Sequence, residues 1–145
     1  MHSFQSTSPD LAASGPVLQV SIGPSREMMN ALVPLGAVLR SPFPVTALID
    51  TGAYTTVLNP ETIVRLKLQP VGVAPITTPS TTAAVMCNRY HINVYFSEEV
   101  VVENIFAIEA PMGGVPYHCL IGRDVLRRAT LLYEGVHNRY ALTLT

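Results

Sequence analysis

Apolar residues in this chain fall in short runs, several with a period of two, and Pro, Gly and small polar residues separate the runs. Leu18, Val20 and Ile22 alternate with Val17, Gln19 and Ser21, which predicts a strand over Val17–Ile22. Gly23-Pro24-Ser25 is a turn signal. Ala31–Leu39 is apolar but carries Pro34 and Gly36, so it reads as an irregular or edge strand. Val45–Ile49 is apolar on both faces and reads as a short central strand. Asn59-Pro60-Glu61-Thr62 is a helix start, with Asn59 as cap and Pro60 at the first position, where its missing N–H costs nothing. Ile63 and Leu66, with Val64 beside them, then face inward until Pro70 limits the helix.

Residues 74–85 are rich in Thr, Ala and Pro and carry no charge. Strands follow at Tyr90–Phe96 and Val100–Ala107, with Glu98-Glu99 as the turn between them, and Pro111–Gly114 reads as a loop. Leu120-Ile121 is a short strand entering Gly122, Asp124–Ala129 reads as helical, and Leu131–Tyr133 and Tyr140–Leu144 are the last strands. In the final strand Tyr140, Leu142 and Leu144 alternate with Ala141, Thr143 and Thr145. Many short strands, one or two short helices and Pro/Gly turns define a mostly antiparallel all-β domain. Residues 1–15, rich in Ser, Thr, Pro and Gly, read as a flexible arm ahead of a single domain over residues 16–145.

Composition narrows the function. Charged residues are 13% of 145, about half the usual quarter, while 48% are hydrophobic. So apolar a chain either buries extra surface in an oligomer or has limited solubility. The net charge of -1, with no basic cluster beyond Arg127-Arg128, argues against a nucleic-acid partner. No apolar run is long enough to span a bilayer, and the polar N-terminus has no signal pattern, so a cytoplasmic protein without a membrane partner is expected. Cys87 and Cys119 are then reduced thiols by default, with a single bridge between them as the alternative.

Candidate chemistry centres on Asp50-Thr51-Gly52-Ala53, which follows the apolar Ala47-Leu48-Ile49. Leu48-Ile49-Asp50 has a weak echo in Leu120-Ile121-Gly122, where a second apolar strand ends at a tight turn. A triplet such as Asp-Thr-Gly is by itself an ordinary strand-end turn. His2, His91, His118 and His137 show no metal-ligand spacing, and nothing positions Cys87 or Cys119 as a nucleophile. Asp10 lies in the expected arm, and Asp124 could cap the short helix.

Over Val17 to the C-terminus, most securely over 45–58 and 119–129, the chain resembles the retropepsin-like (retroviral-type) aspartic proteases. The resemblance rests on Ala47–Ala53 together with Leu120-Ile121-Gly122-Arg123-Asp124. It implies a closed β-barrel, half of an acid-protease fold, with its active site on the two-fold axis of a homodimer. Each chain holds one Asp-Thr-Gly, so each would supply one Asp50. The resemblance further implies that Thr51 bonds across the axis, Gly52 meets the substrate backbone and Ala53 keeps the floor small. Gly122 and Arg123, with Asp124, would support the loop. A hairpin flap would lie within residues 74–88, with Thr77, Thr78, Pro79, Ser80, Thr81 and Thr82 around its tip. One or both of the terminal strands, Val17–Ile22 and Tyr140–Leu144, would interleave at the dimer interface. The partners implied are a peptide or protein substrate and a second copy of the chain, with no metal or cofactor.

Three departures from the family pattern stand out. Tyr54 occupies a position that is often acidic and paired with the arginine, so Arg123 needs another partner. Pro79-Ser80-Thr81-Thr82 gives the flap tip no glycine, and Gly23–Pro44 is longer than a tight hairpin needs. Aspartic endopeptidase is the first reading of the sequence. A catalytically inactive dimeric module that binds peptides or acts as a scaffold is the alternative.

Overall fold

The computed structural model describes residues 1–36, 42–76 and 83–145. Strand β2 (Val17–Pro24) buries Leu18, Val20 and Ile22 and exposes Gln19, as its alternation predicts. It pairs antiparallel with β3 (Phe43–Ile49), which in turn pairs in parallel with β8 (Cys119–Ile121). On the other side of β8 lies β4 (Val57–Leu58), a two-residue strand too short for any periodicity to reveal. Next come β7 (Val101–Glu109) and the long β6 (Val85–Tyr95).

The far end of β6 returns to β2, from Ser21↔Tyr95 to Pro24↔Ile92, and closes six strands into a barrel in the order β2-β3-β8-β4-β7-β6. Closure needs curvature, and the β6–β7 ladder supplies it with a register shift between Ile92 and Val94. There Asn104 takes φ 62, a conformation Asn tolerates better than most residues, and its N–H donates to the buried Asn93 side chain at 3.3 Å. Ile22, Leu58, Ile92, Val94 and Ile121 fill the interior with essentially no exposure. The other end of β6 carries β5 (Gly72–Ile76), paired antiparallel from Gly72↔Arg89 to Ile76↔Val85. The tip candidates Thr77–Thr82 lie outside the described residues.

The expected arm at residues 1–15 is instead ordered. Strand β1 (His2–Thr7) pairs antiparallel with β10 (Arg139–Leu144), which also pairs with β9 (Ala129–Glu134). The Ser/Thr-rich composition suggested mobility, but β1 supplies ladder partners to the edge of β10 and packs Phe4 against Phe96 at 5.6 Å between ring centroids. Helix α1 (Leu11–Ser14) then buries Leu11 completely, with its N–H donating to Asn138 Oδ1 at 3.0 Å. Tyr140 ties this small sheet to the barrel, its hydroxyl accepting from the Val17 N–H at 3.0 Å and donating to the Val17 carbonyl. Strand β10 therefore has ladder neighbours on both sides within the chain and leaves no edge open for interleaving, while β2 pairs with β3 over Val17–Ile22 and with β6 only over Ser21–Pro24.

Helices also depart from expectation. Instead of an edge strand beginning at Ala31, the chain forms α2 (Arg26–Leu32) and a 3-10 turn over Val33–Leu35, ending at Gly36 with φ 87. Ser25 starts it, its Oγ accepting from the Met28 N–H, and Arg-Glu-Met-Met are good helix formers. Residues 37–39 of that expected strand lie outside the described residues. Helix α3 (Pro60–Leu66) starts as predicted, with Asn59 Oδ1 accepting from the Thr62 N–H at 3.0 Å. Ile63 and Leu66 are buried, each contributing about 1.5–3 kcal/mol, but Val64 is 74% exposed on the opposite face. Helix α4 covers only Arg123–Leu126, because Ala129 already begins β9. The described residues thus hold four short α-helices where one or two were expected. None is long and apolar enough to cross a membrane.

Candidate active site

The strand order fixes the site. Strands β3 and β8 run in parallel with Ile49 opposite Ile121, so Asp50 and Gly122 leave the barrel side by side. The chain exits β3 on one flank of β8 and returns as β4 on the other flank. Residues 50–56 must therefore cross the C-terminal end of β8. At the crossing a Cβ on Gly122 would stand 2.4 Å from the Thr55 carbonyl carbon and 2.8 Å from the Thr56 nitrogen. Only a glycine lets the two backbones pass.

Hydrogen bonds hold the crossing loop in place. The Asp50 N–H donates to the Ile121 carbonyl at 2.9 Å, and the Ala53 N–H to the Asp50 carbonyl at 3.2 Å. The Gly52 N–H donates to Asp50 Oδ1 at 2.9 Å, which fixes the carboxylate while leaving it half-buried and accessible. Gly52 has no Cβ to crowd that oxygen; one would lie 3.2 Å away. Thr51 and Gly52 are exposed and Ala53 is half-buried, so the loop presents small groups around one carboxylate.

Arg123 finds the partner that Tyr54 does not supply as an acid. Its Nη1 donates to the Thr51 carbonyl at 2.7 Å, and its N–H to the Ala53 carbonyl at 2.9 Å. Its guanidinium also lies 6.0 Å from the centroid of the Tyr54 ring, a cation–π contact at an exposed position. Arg123 thus holds the loop through backbone oxygens rather than an ion pair.

Asp124 is not the cap of α4, against expectation. The N-cap position of α4 is Gly122, and the Asp124 carboxylate reaches back over the loop. Its Oδ1 accepts from Thr56 Oγ1 at 2.8 Å and from the Val125 N–H at 2.9 Å. Its Oδ2 accepts from the Thr56 N–H at 3.0 Å and from Thr55 Oγ1 at 3.1 Å. Thr56 is fully buried, and its Oγ1 in turn accepts from the Gly122 N–H at 3.2 Å. Asp124, Thr56 and Gly122 form one clasp beneath the Asp50 loop. Sequence reading missed Thr55 and Thr56, because a Thr pair carries no pattern of its own before contacts are known.

Cys119, next to the loop on β8, is fully buried, and burial pushes its thiol well above the usual range, with the Asp124 charge adding to the effect. That protonated thiol is packing, not a nucleophile. Neither cysteine is in a disulfide. Among the described residues no cluster of three His, Cys, Asp or Glu could hold a metal ion.

A barrel closed around a single strand-end aspartate, with a glycine-crossed loop beside it, has the form of one half of an aspartic protease site. The model of the family described as gag-polyprotein putative aspartyl protease matches residues 41–128, more than half the chain, and the chain belongs to that retroviral-type aspartic protease family. Among solved structures it is similar to the EIAV protease complexed with the inhibitor HBY-793, at 19% identity over 77% of this chain and 85% of that one, with a TM-score of 0.47. It is similar also to a retropepsin-like aspartic protease from Rickettsia conorii, at 16% identity, coverage of 88% and 91% and a TM-score of 0.44. The retroviral protease-like domain of Ddi1 from Leishmania major gives 16% identity, coverage of 88% and 87% and a TM-score of 0.45. No curated protein matches the chain.

Proposed function

We propose that this protein is an aspartic endopeptidase whose active site forms when two copies bring their Asp50 loops together. The observation that carries the reading is the Asp50 loop itself, an accessible carboxylate bonded by the Gly52 N–H on a loop that Ile121 and Arg123 hold through its backbone and that Gly122 lets cross the end of a barrel strand. The position that echoes Asp50 after β8 is Gly122, so the chain has no second carboxylate there. A second copy would supply it. A groove of about 380 Å³ beside Thr51, lined by Leu126, Ala129 and Leu131 among others, offers apolar surface for that copy.

Two carboxylates brought close cannot both ionise cheaply, so the pair shares one proton. The ionised member takes a proton from water as the water oxygen attacks the peptide carbonyl carbon. The protonated member donates to the carbonyl oxygen, giving a neutral gem-diol. The carboxyl that took the water proton then gives it to the amide nitrogen while the other carboxylate takes a proton from a gem-diol hydroxyl, so the C–N bond breaks, acid and amine leave, and the pair again holds one proton. Thr51, Gly52 and Ala53 position the two carboxylates, and the β5–β6 hairpin serves as the flap over an extended peptide. Gly122, Arg123 and Asp124 support the loop from below. The free thiols of Cys87 and Cys119 fit a reducing, cytoplasmic setting.

The test is cleavage of a mixed peptide library from about pH 3.5 to 7.5 by wild type and Asp50→Asn, with dimer content measured by sedimentation. Wild-type dimer should cleave with an acid-side optimum, and Asp50→Asn should lose at least about a hundredfold in kcat/KM. A folded wild-type dimer that cleaves nothing, or an Asp50→Asn dimer that cleaves as well, overturns the proposal.

A further inference from the structure

A second groove, of about 410 Å³, opens along the same loop. Tyr54 and Thr55 line it, together with Ala74, Pro75 and Ile76 of the β5–β6 hairpin and Phe106 of β7. Its ionisable lining is Tyr54, Arg89, Asp124 and Arg127. The Asp124 oxygens are already occupied by the donors of Thr55, Thr56 and Val125, so that carboxylate is turned to the loop. The two guanidiniums have no ion-pair partner among the described residues, whose pairs are Arg26–Glu103, His91–Glu27 and Arg139–Glu134.

Arg89 is also pre-oriented. Its guanidinium carbon lies 4.7 Å from the centroid of the half-exposed Phe106 ring. That ring stacks in turn on the buried His91, with centroids 4.4 Å apart and planes 10° from parallel. A guanidinium held against an aromatic face spends its π surface there and keeps its in-plane N–H donors for a carboxylate. The column therefore fixes a bidentate donor before any ligand arrives, which lowers the ordering cost of binding.

We propose that this groove takes an acidic side chain of the substrate peptide, held by Arg89 and Arg127 at a distance from the scissile bond. The inference rests on the endopeptidase reading, and it adds a substrate class to it. Tyr54 is four residues beyond Asp50, and an extended chain spans at most about 3.6 Å per residue, so the Cα of Tyr54, on the groove's lining, lies within about 15 Å of the Asp50 Cα. A peptide in extended form covers that span in roughly three to five residues. In a symmetric dimer each half has such a groove, so acidic preference is expected on both sides of the cut.

The experiment uses one cleavable core peptide with Glu, Gln or Lys placed in turn two to five residues from the cut. Rates and, in parallel, peptide affinity to Asp50→Asn dimer by fluorescence anisotropy are measured at low and high salt. Wild type should favour Glu over Gln by about tenfold at one or more of these positions, and high salt should shrink the ratio. Arg127→Glu should turn the preference toward Lys, and Arg89→Lys, which keeps charge but not the flat stacked fork, should lower the Glu-to-Gln ratio. Melting curves and sedimentation confirm that the variants fold and dimerise. Equal handling of Glu and Gln by wild type in both rate and affinity, or a preference unchanged in Arg127→Glu, overturns the inference. Absence of cleavage with a Glu preference retained in affinity removes the chemistry and leaves the groove standing.

Discussion

Replacing Asp124 with Ala removes the acceptor for four hydrogen bonds at once. Two of those donors keep another acceptor, since Thr55 Oγ1 also bonds the Phe106 carbonyl at 3.0 Å and the Val125 N–H also bonds the Gly122 carbonyl at 3.1 Å. The Thr56 N–H and the Thr56 hydroxyl do not, and Thr56 has no exposure through which water could replace Asp124. Two buried donors left unsatisfied cost about 1–3 kcal/mol each, so Asp124→Ala should lose about 2–6 kcal/mol. That is a large effect for one substitution, and in a chain of this size it lowers Tm by about 5–15 °C. Asp124→Asn should lose less, about 1–3 kcal/mol, because its carbonyl can take the Thr56 N–H and only the Thr56 hydroxyl proton is left without an acceptor. The assay is thermal unfolding of the three proteins at one protomer concentration, because dimerisation makes Tm concentration-dependent. A Tm for Asp124→Ala within about 2 °C of wild type would refute the clasp. Equal losses in Ala and Asn variants would instead make charge, not hydrogen-bond geometry, the source of the effect.

Other positions give independent checks. Gly122→Ala drives a Cβ into the backbone of Thr55 and Thr56, so it should both destabilise the protein and displace the Asp50 loop, read as loss of Tm together with loss of peptide cleavage. Native-state thiol titration should modify Cys87, which is partly exposed, and spare Cys119 until the protein unfolds. Burial, then the hydrogen bond to Glu109 at 2.6 Å, pushes the Tyr90 hydroxyl up to about 12 from an ordinary 10. A raised folded-state value contributes stability that is full below about pH 10 and lost as pH rises toward 12. Between those limits wild type should lose more stability in urea titrations than Tyr90→Phe, which has no hydroxyl to ionise.

What the sequence disclosed depended on where the signal lay. Val17–Ile22, Tyr140–Leu144 and the Asn59-Pro60 helix start were legible because alternation and capping are local. The Asp50 loop was legible because its triplet follows an apolar strand, and the echo at Gly122 became a real adjacency through the β3–β8 ladder. Strand β4 was not, since two residues between loop and helix carry no period. Helix α2 was hidden by Pro34 and Gly36, which mark its end rather than interrupt a strand. Strand β1 was hidden because its pairing is with residues at the other end of the chain. The role of Asp124 was equally non-local, as Thr55 and Thr56 are nearly seventy positions away and meet it only once the loop crosses β8.

The pairing of His2 with Leu144 has a consequence for the chain as a string. Partners across an antiparallel ladder stand about 5 Å apart, so His2 and Leu144 are neighbours in space. Topologically the segment between them is a ring with a small gap. A linker of a few residues would close it, and the circle could be reopened at Gly113-Gly114, an exposed stretch outside every ladder. Opened there, the segment would list the barrel strands in a different order along the chain, while the neighbours of Asp50 would stay the same.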